Sequence, residues 1–248
     1  MDSNPPDFSK IFHQSSKDSS KGHLPISRDA NEWPDEWKTT YYKAYSRLPK
    51  IALPDNPPQA NFFHLIKARK SRRDFSRIPI DMRELSLLLK YSCGDIGEMG
   101  VDRHRRAQPS AGSRFPIEIY PIVFRPQKEL AAGLYHYNVK EHALDVLWGR
   151  EWSDDEIGSL FTYPWVKDAA LALVMTAVFW RNANKYGERG YRYILLEAGH
   201  IGQNVYLASE ALGLKCCAFG GTRDAALEKL IDIDGINESV IYALAIGK

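Results

Sequence analysis

Apolar positions along this chain recur with two periods, and the switch between them marks its elements. The longest helical pattern runs from about Tyr191 to Leu212, where Ile194, Ala198, Ile201, Val205, Ala208 and Leu212 step by four and three residues. That spacing is an a/d seam and predicts a helix-helix contact, one between subunits included. Gly199 and Gly202 beside the seam each cost about 1 kcal/mol of helix propensity relative to alanine, a loss that close approach of a second backbone would offset. Gly213 closes the helix. Shorter helical patterns cover 61–69, with Phe62, Leu65 and Ile66, and 81–92, where Asp81 and Glu84 make a capping box ahead of Leu85, Leu88 and Leu89. Ser153 and Glu156 repeat the box before another short helix, and 224–231 carries one more.

Strand patterns fill most of the remainder. Residues 117–124 alternate, 133–137 and 142–148 flank a turn at 138–141 as a hairpin would, and 216–219 and 240–246 are short apolar runs. The run AALALVMTAVFW, Ala169 to Trp180, is apolar at almost every position and predicts a buried central strand. Between 94 and 116 the chain turns Gly-, Arg- and Ser-rich, which predicts a long loop, and loops of that length in compact domains usually carry function. There is no internal repeat. Strands and helices in this order predict an α+β fold.

Composition sets the scale. With 248 residues, 44% of them hydrophobic, the chain suffices for one large domain. Residues 1–58, rich in Pro, Ser, Asp and Lys but dotted with Trp33, Trp37, Tyr41 and Tyr42, read as an arm wrapped on a body formed by 59–248. The 33 basic residues exceed the 31 acidic by only +2, so no global field would hold nucleic acid or an anionic membrane, and any anion site must be local. The apolar run is too short to span a bilayer, and MDSNPPDFSK lacks the apolar stretch of an export signal. Cys93 and the adjacent Cys216 and Cys217 have neither zinc nor redox spacing, which fits a reducing cytoplasm.

The familiar motifs are missing: no G-x-G-x-x-G opens a helix, and there is no G-x-x-x-x-G-K-[ST], no G-x-S-x-G and no H-x-x-x-H. Three other segments stand out. Arg69-Lys70-Ser71-Arg72-Arg73 places four cations and a hydroxyl in five positions; guanidinium forks match phosphate oxygens, although a solvated basic run would look the same. Pro109-Ser110-Ala111-Gly112-Ser113-Arg114 is small and rigidly started, able to lay backbone against a flat ring or to be an ordinary turn. Phe219-Gly220-Gly221 ends a strand before a helix, where backbone N–H groups can hold a polar atom.

Taken in order, R-x-S-x-R-x-F, PSAGSRFP before a strand, RYILLEAGHIGQNVYLASEALGL and AFGG resemble the nitroreductase-like FMN flavoproteins over about 62–247. The closest resemblance is to their SagB-type dehydrogenase branch, which oxidises thiazolines and oxazolines in ribosomally made peptides to azoles; Phe12-His13 and 49–54 resemble that branch as well. The resemblance implies a nitroreductase-like fold, with a central, mostly antiparallel sheet flanked by helices, and a homodimer with FMN between the chains and the long helix at the dimer core. Arg69, Ser71 and Arg73, with Lys70 beside them, would hold the flavin phosphate, ribityl chain and pyrimidine edge. Pro109, Ser110, Gly112 and Ser113 would reach the flavin from the second subunit, and Phe219, Gly220 and Gly221 would face N5. Many relatives grip the phosphate with a Lys/Arg pair after the last strand; here Gly247-Lys248 ends the sequence, leaving that task to Lys248 or else to Arg223 or Arg69.

Lys185-Tyr186 matches the lysine-tyrosine pair of the azoline-oxidising branch. Aromatising an azoline removes a hydride and a proton, so a base is needed on the substrate side, and a desolvated lysine with a tyrosine partner can serve. The same dipeptide could simply end a strand and enter a helix. The resemblance further implies a peptide or small heterocyclic substrate and a complex with cyclodehydratase-type partners. Its rivals are an NAD(P)H-dependent nitro or ene reductase and a non-catalytic flavin-binding subunit of a peptide-modifying complex.

Overall fold

The computed structural model describes residues 11–12, 29–98 and 104–248. His13, part of the resemblance, lies outside the described residues, as do 99–103 of the long loop. A short helix α1 (Asp35–Lys38) and strand β1 (Lys50–Ala52) precede α2 (Phe62–Ala68) and α3 (Met82–Cys93). A two-stranded ribbon, β2 (Asp95–Glu98) and β3 (His104–Arg106), leads into β4 (Ile117–Val123), β5 (Gly133–Asn138) and β6 (Ala143–Gly149). Then come α4 (Asp154–Leu160), β7 (Leu171–Val178), α5 (Trp180–Tyr186), α6 (Gly190–Ala211), β8 (Lys215–Phe219), α7 (Asp224–Ile231) and β9 (Glu238–Gly247).

Seven strands form one sheet in the order β1-β6-β5-β4-β7-β9-β8, and every neighbouring pair is antiparallel. The sheet sits between two helical layers, so β7 has no polar face to show. Leu171, Leu173 and Met175 point to the layer of α3 and α6, while Ala172 and Val174 point to that of α4 and α7. This two-sided burial is why the run at 169–180 is apolar at almost every position. Both capping boxes form: Asp81 and Glu84 close the start of α3, and Ser153 and Glu156 that of α4.

Two expectations are corrected. Within the predicted loop 94–116, β2 and β3 pair as an antiparallel ribbon, because the polar segment still finds backbone partners in itself. The a/d seam of α6 faces the chain's own core: Ile194, Ala198, Ile201 and Val205 are buried against α3 and the sheet. The close approach falls at Gly202, where an added Cβ would lie 3.0 Å from the Tyr242 ring, whereas Gly199 has open space. The opposite stripe of α6, with Leu196, Gly199, His200 and Gln203, is exposed. A helix-helix contact exists, but α3 of the same chain supplies it.

Candidate functional site

The segment after α2 is extended, so alternate side chains part to opposite sides. Arg72 turns to Glu210 in a bidentate pair of 2.7 and 3.1 Å. Arg69 lies over the Tyr206 ring at 5.2 Å and Arg73 over Trp165 at 5.8 Å, neither with a carboxylate partner among the described residues. Ser71 Oγ and the Tyr206 hydroxyl are 2.7 Å apart, and Tyr206 accepts the Ala218 N–H at 2.8 Å. Phe219 packs 5.3 Å from Trp165, and Gly221 O accepts bonds from the N–H and hydroxyl of Thr162, at 2.9 Å each. Arg69, Ser71, Arg73, Phe219, Gly220 and Gly221 thus border one region around Tyr206 and Trp165. Lys70 is exposed beside it. Lys248 Nζ is 3.1 Å from Glu84, and Ser76 holds the Lys248 carbonyl.

A second group assembles elsewhere. Lys185 and Tyr186 end the short helix α5; they do not end a strand. Although lysines are mostly exposed, Lys185 is buried to 7% exposure. Its Nζ lies 3.3 Å from the centroid of the Trp33 ring, 5.2 Å from that of Trp37 and 5.6 Å from that of Tyr186. The loop 109–115 closes over the same pair. A Cβ at Gly112 (φ +61°) would stand 2.5 Å from the Tyr186 hydroxyl and 3.3 Å from Lys185 Nζ, so only glycine fits there. Ser113 and Phe115 also take positive φ, at 55° and 47°. Non-glycine residues held this way cost of order 1–3 kcal/mol each and cluster where geometry serves a site.

Three buried charges fix the loop and α5. Arg114 Nε donates to Arg181 O at 2.8 Å, and Arg181 Nη1 donates to Phe115 O at 2.8 Å and to Glu118 at 2.6 Å. Glu118 in turn accepts from His136, whose other ring nitrogen meets Asp145. Burial opposes ionisation of Glu118, yet Arg181 and His136 hold its pKa down to about 2. On the other side of the loop, Glu197 of α6 accepts from Ser110 Oγ at 2.5 Å and Gln108 Nε2 at 3.1 Å. Burial pushes the Glu197 carboxyl up to about 7, with Ser110, Gln108, Arg106 and Arg181 pulling the other way.

The sign of that shift gives a prediction. Between the ordinary 4.5 and about 7 the folded chain holds a proton that the unfolded chain has released. Stability therefore falls as pH rises through this window, by about 3 kcal/mol in all. In Glu197→Gln that slope is expected to vanish; denaturant midpoints at a series of pH values from acid to neutral measure it, and an unchanged slope would assign the titration to another group.

Glu197 sits nine residues before Tyr206 on α6, about 13 Å along the axis at 1.5 Å per residue. Within one chain, then, loop 109–113 adjoins Lys185 and Tyr186 but stands apart from the Arg69–Arg73 region. Nothing in the sequence singled out Glu197, Trp33, Trp37 or Arg181 as site neighbours. Their one signal was residue type: aromatics in a polar arm and an arginine directly after an apolar strand.

The chain is similar to several known proteins. It is 32% identical over 184 residues, 74% of this chain and 90% of the other, to a protein of Methanocaldococcus jannaschii carrying the nitroreductase name. To the trifolitoxin-processing protein TfxB of Rhizobium leguminosarum bv. trifolii it is 28% identical over 219 residues, 84% of this chain, and it spans 59% of that protein's length. Its fold matches a chain of the Escherichia coli microcin synthetase McbBCD complex with truncated pro-MccB17 bound, at a TM-score of 0.62 and 18% identity over 97% of this chain and 91% of that one. The family model described as the nitroreductase family matches residues 66–248, and with that match and the layered antiparallel fold the chain belongs to the nitroreductase family.

Proposed function

We propose that this protein is an FMN-dependent oxidase that converts thiazoline or oxazoline rings of a ribosomally made peptide to azoles, with Lys185 taking the proton. The observation that carries the reading is the buried Lys185 amine, enclosed by Trp33, Trp37 and Tyr186 beneath a strained loop. A plain reductase, which passes electrons from NAD(P)H to an acceptor, has no use for a buried base. One relative is a trifolitoxin-processing protein, and the microcin synthetase complex that shares the fold holds truncated pro-MccB17; both point the same way.

The residues present suit FMN. Arg69 and Arg73 offer guanidinium groups lacking carboxylate partners among the described residues, Ser71 a hydroxyl, and Gly220 a backbone with nothing within 4 Å of where a Cβ would be. When bound, the flavin supplies a two-electron acceptor for the hydride leaving the azoline carbon. Lys185 Nζ accepts the proton from the adjacent carbon, and the Tyr186 hydroxyl, beside Gly112, orients the amine. Burial of Lys185 excludes water that would otherwise compete for the base. Lys248, occupied by Glu84, contributes less to the phosphate than Arg69 and Arg73.

A second copy of the chain would complete the site. Phe62, Phe63, Ile66, Leu195 and Leu196 are exposed on α2 and α6, an apolar surface that a partner would cover. Such a homodimer can bring loop 109–113 of one chain to the Arg69–Arg73 region of the other, which no single chain does. Cyclodehydratase-type partners are part of this reading, as the supply of azoline requires. The arm read at 1–58 belongs to this reading too, and its described part from 29 onward carries Trp33 and Trp37 onto Lys185.

The test is an anaerobic mix of protein and azoline peptide, following the oxidised-flavin band at about 450 nm. Bleaching that reverses in air, with loss of two hydrogens from the peptide, is expected. The M. jannaschii relative favours one other reading, a nitro or ene reductase; a band that stays until NADPH is added and then falls would establish that instead.

A further inference from the structure

A cavity of about 470 Å³ lies between the β2-β3 ribbon and loop 109–115, lined by His104, Arg105, Arg106, Gln108 and Phe115 among others. Its chemistry centres on Arg106. This residue is 3% exposed, yet its guanidinium makes no hydrogen bond or ion pair with any described residue, and its Nε is an orphaned buried donor. The rings of Tyr42 and Phe115 stand 5.1 and 4.5 Å from its Cζ. Ring contacts attract the cation but leave the in-plane N–H fork unsatisfied. Burying such a group without an acceptor is costly.

The nearby carboxylates do not fill that need. Glu118 uses its two oxygens on Arg181 and His136, Glu197 uses its two on Ser110 and Gln108, and Asp95 is taken by His104 at 2.7 Å. A second unmet demand adjoins the first: the side-chain oxygen of Gln108, 2% exposed, accepts nothing from the described residues. The two gaps are complementary to one chemical unit, an oxyanion for Arg106 with an N–H donor for Gln108 beside it. A carboxylate next to an amide has both.

We propose that this cavity binds a carboxylate-bearing residue of a peptide, its acid held by the Arg106 fork and its amide N–H by Gln108. As a substrate contact this rests on the peptide reading above; as a binding site it does not. The same fork chemistry would also fit the phosphate of a flavin, and the experiment separates the two sources.

N-acetylglycine carries the carboxylate and the neighbouring amide; its methylamide lacks only the acid. Titration of the full-length protein with each, by calorimetry or ligand-observed NMR, is expected to show saturable binding of the acid and at least roughly tenfold weaker binding of the methylamide, the loss typical of a charge-assisted pair. Arg106→Gln should weaken the acid by a similar factor, and Arg106→Lys, which keeps the charge without the fork and guards against a folding defect, by less. FMN and riboflavin affinities are measured on the same proteins. A ratio unchanged in Arg106→Gln supports the peptide site, whereas a ratio that falls about tenfold assigns the fork to flavin phosphate and overturns it. Equal binding of acid and methylamide, or no saturable binding to the parent protein, overturns it too. A peptide site with no azoline turnover would sink the oxidase reading alone.

Discussion

Replacing Lys185 by methionine is expected to lower azole formation by about 10²–10⁴-fold, the range a positioned general base contributes, while the FMN absorbance and the thermal midpoint stay close to those of the parent. Methionine is the informative choice because Lys185 is buried against Trp33: an apolar chain of similar length keeps the packing and removes only the amine. Tyr186→Phe keeps the edge-on contact with Tyr193, whose centroid is 5.1 Å away, and removes the hydroxyl beside Gly112. A smaller loss is expected there, since an orienting group acts through the base. The quantity to measure is single-turnover flavin reduction by an azoline peptide. A methionine variant that turns over as fast as the parent would remove Lys185 from the chemistry, and a flavin-binding subunit without turnover would then account for the fold and for FMN.

Local rules predicted what local forces decide. Asp81 with Glu84 and Ser153 with Glu156 make their capping boxes because those bonds span three residues. The apolar run became β7 because burial on both faces leaves no room for polar side chains. What local patterns left open was which element each one packs against. The α6 seam states that a helix packs on something; that α3 lies there is settled by a sheet assembled from residues far apart in sequence. Loop 94–116 hid a ribbon because polar strands lack an apolar period.

The site divides in the same way. The residue types at 69–73, 109–113 and 219–221 stand out in the sequence as candidates to hold an anion or a flat ring, and the structure gathers the first and third about Tyr206 and Trp165. Loop 109–113 turns instead to Lys185, Tyr186 and Glu197 of its own chain. Trp33 meets Lys185 from a segment remote in sequence, and no periodicity reaches that far. Arg106 reads in sequence as one more cation in a basic loop; only burial without a hydrogen bond sets it apart.

Arg181→Met is expected to destabilise the protein by about 3–5 kcal/mol, the cost of removing one partner from a buried ion pair. Its guanidinium and backbone make three contacts at once: the guanidinium neutralises Glu118 of β4 and ties down the Phe115 carbonyl of the strained loop, and the Arg181 carbonyl receives Arg114. Arg181 also lies four residues before Lys185 on α5 and so shares its face. Losing it should loosen the base as well as the core, so azole formation falls beyond what the unfolded fraction explains. The pH dependence identifies the mechanism. Glu118 is held near 2, below its ordinary 4.5, so the paired protein carries stability that is present above 4.5 and lost as pH falls towards 2. Without Arg181, burial acts on Glu118 with less opposition and its pKa rises, so the variant should lose less stability than the parent on acidification through that range. Arg181→Met combined with Glu118→Gln removes the stranded charge and should recover part of the loss, the coupling expected of contacting residues. Denaturant unfolding of the two single variants and the double at neutral and acid pH measures both effects. Strictly additive losses would mean that the Arg181 side chain acts through the Phe115 contact alone, with Glu118 neutralised by His136.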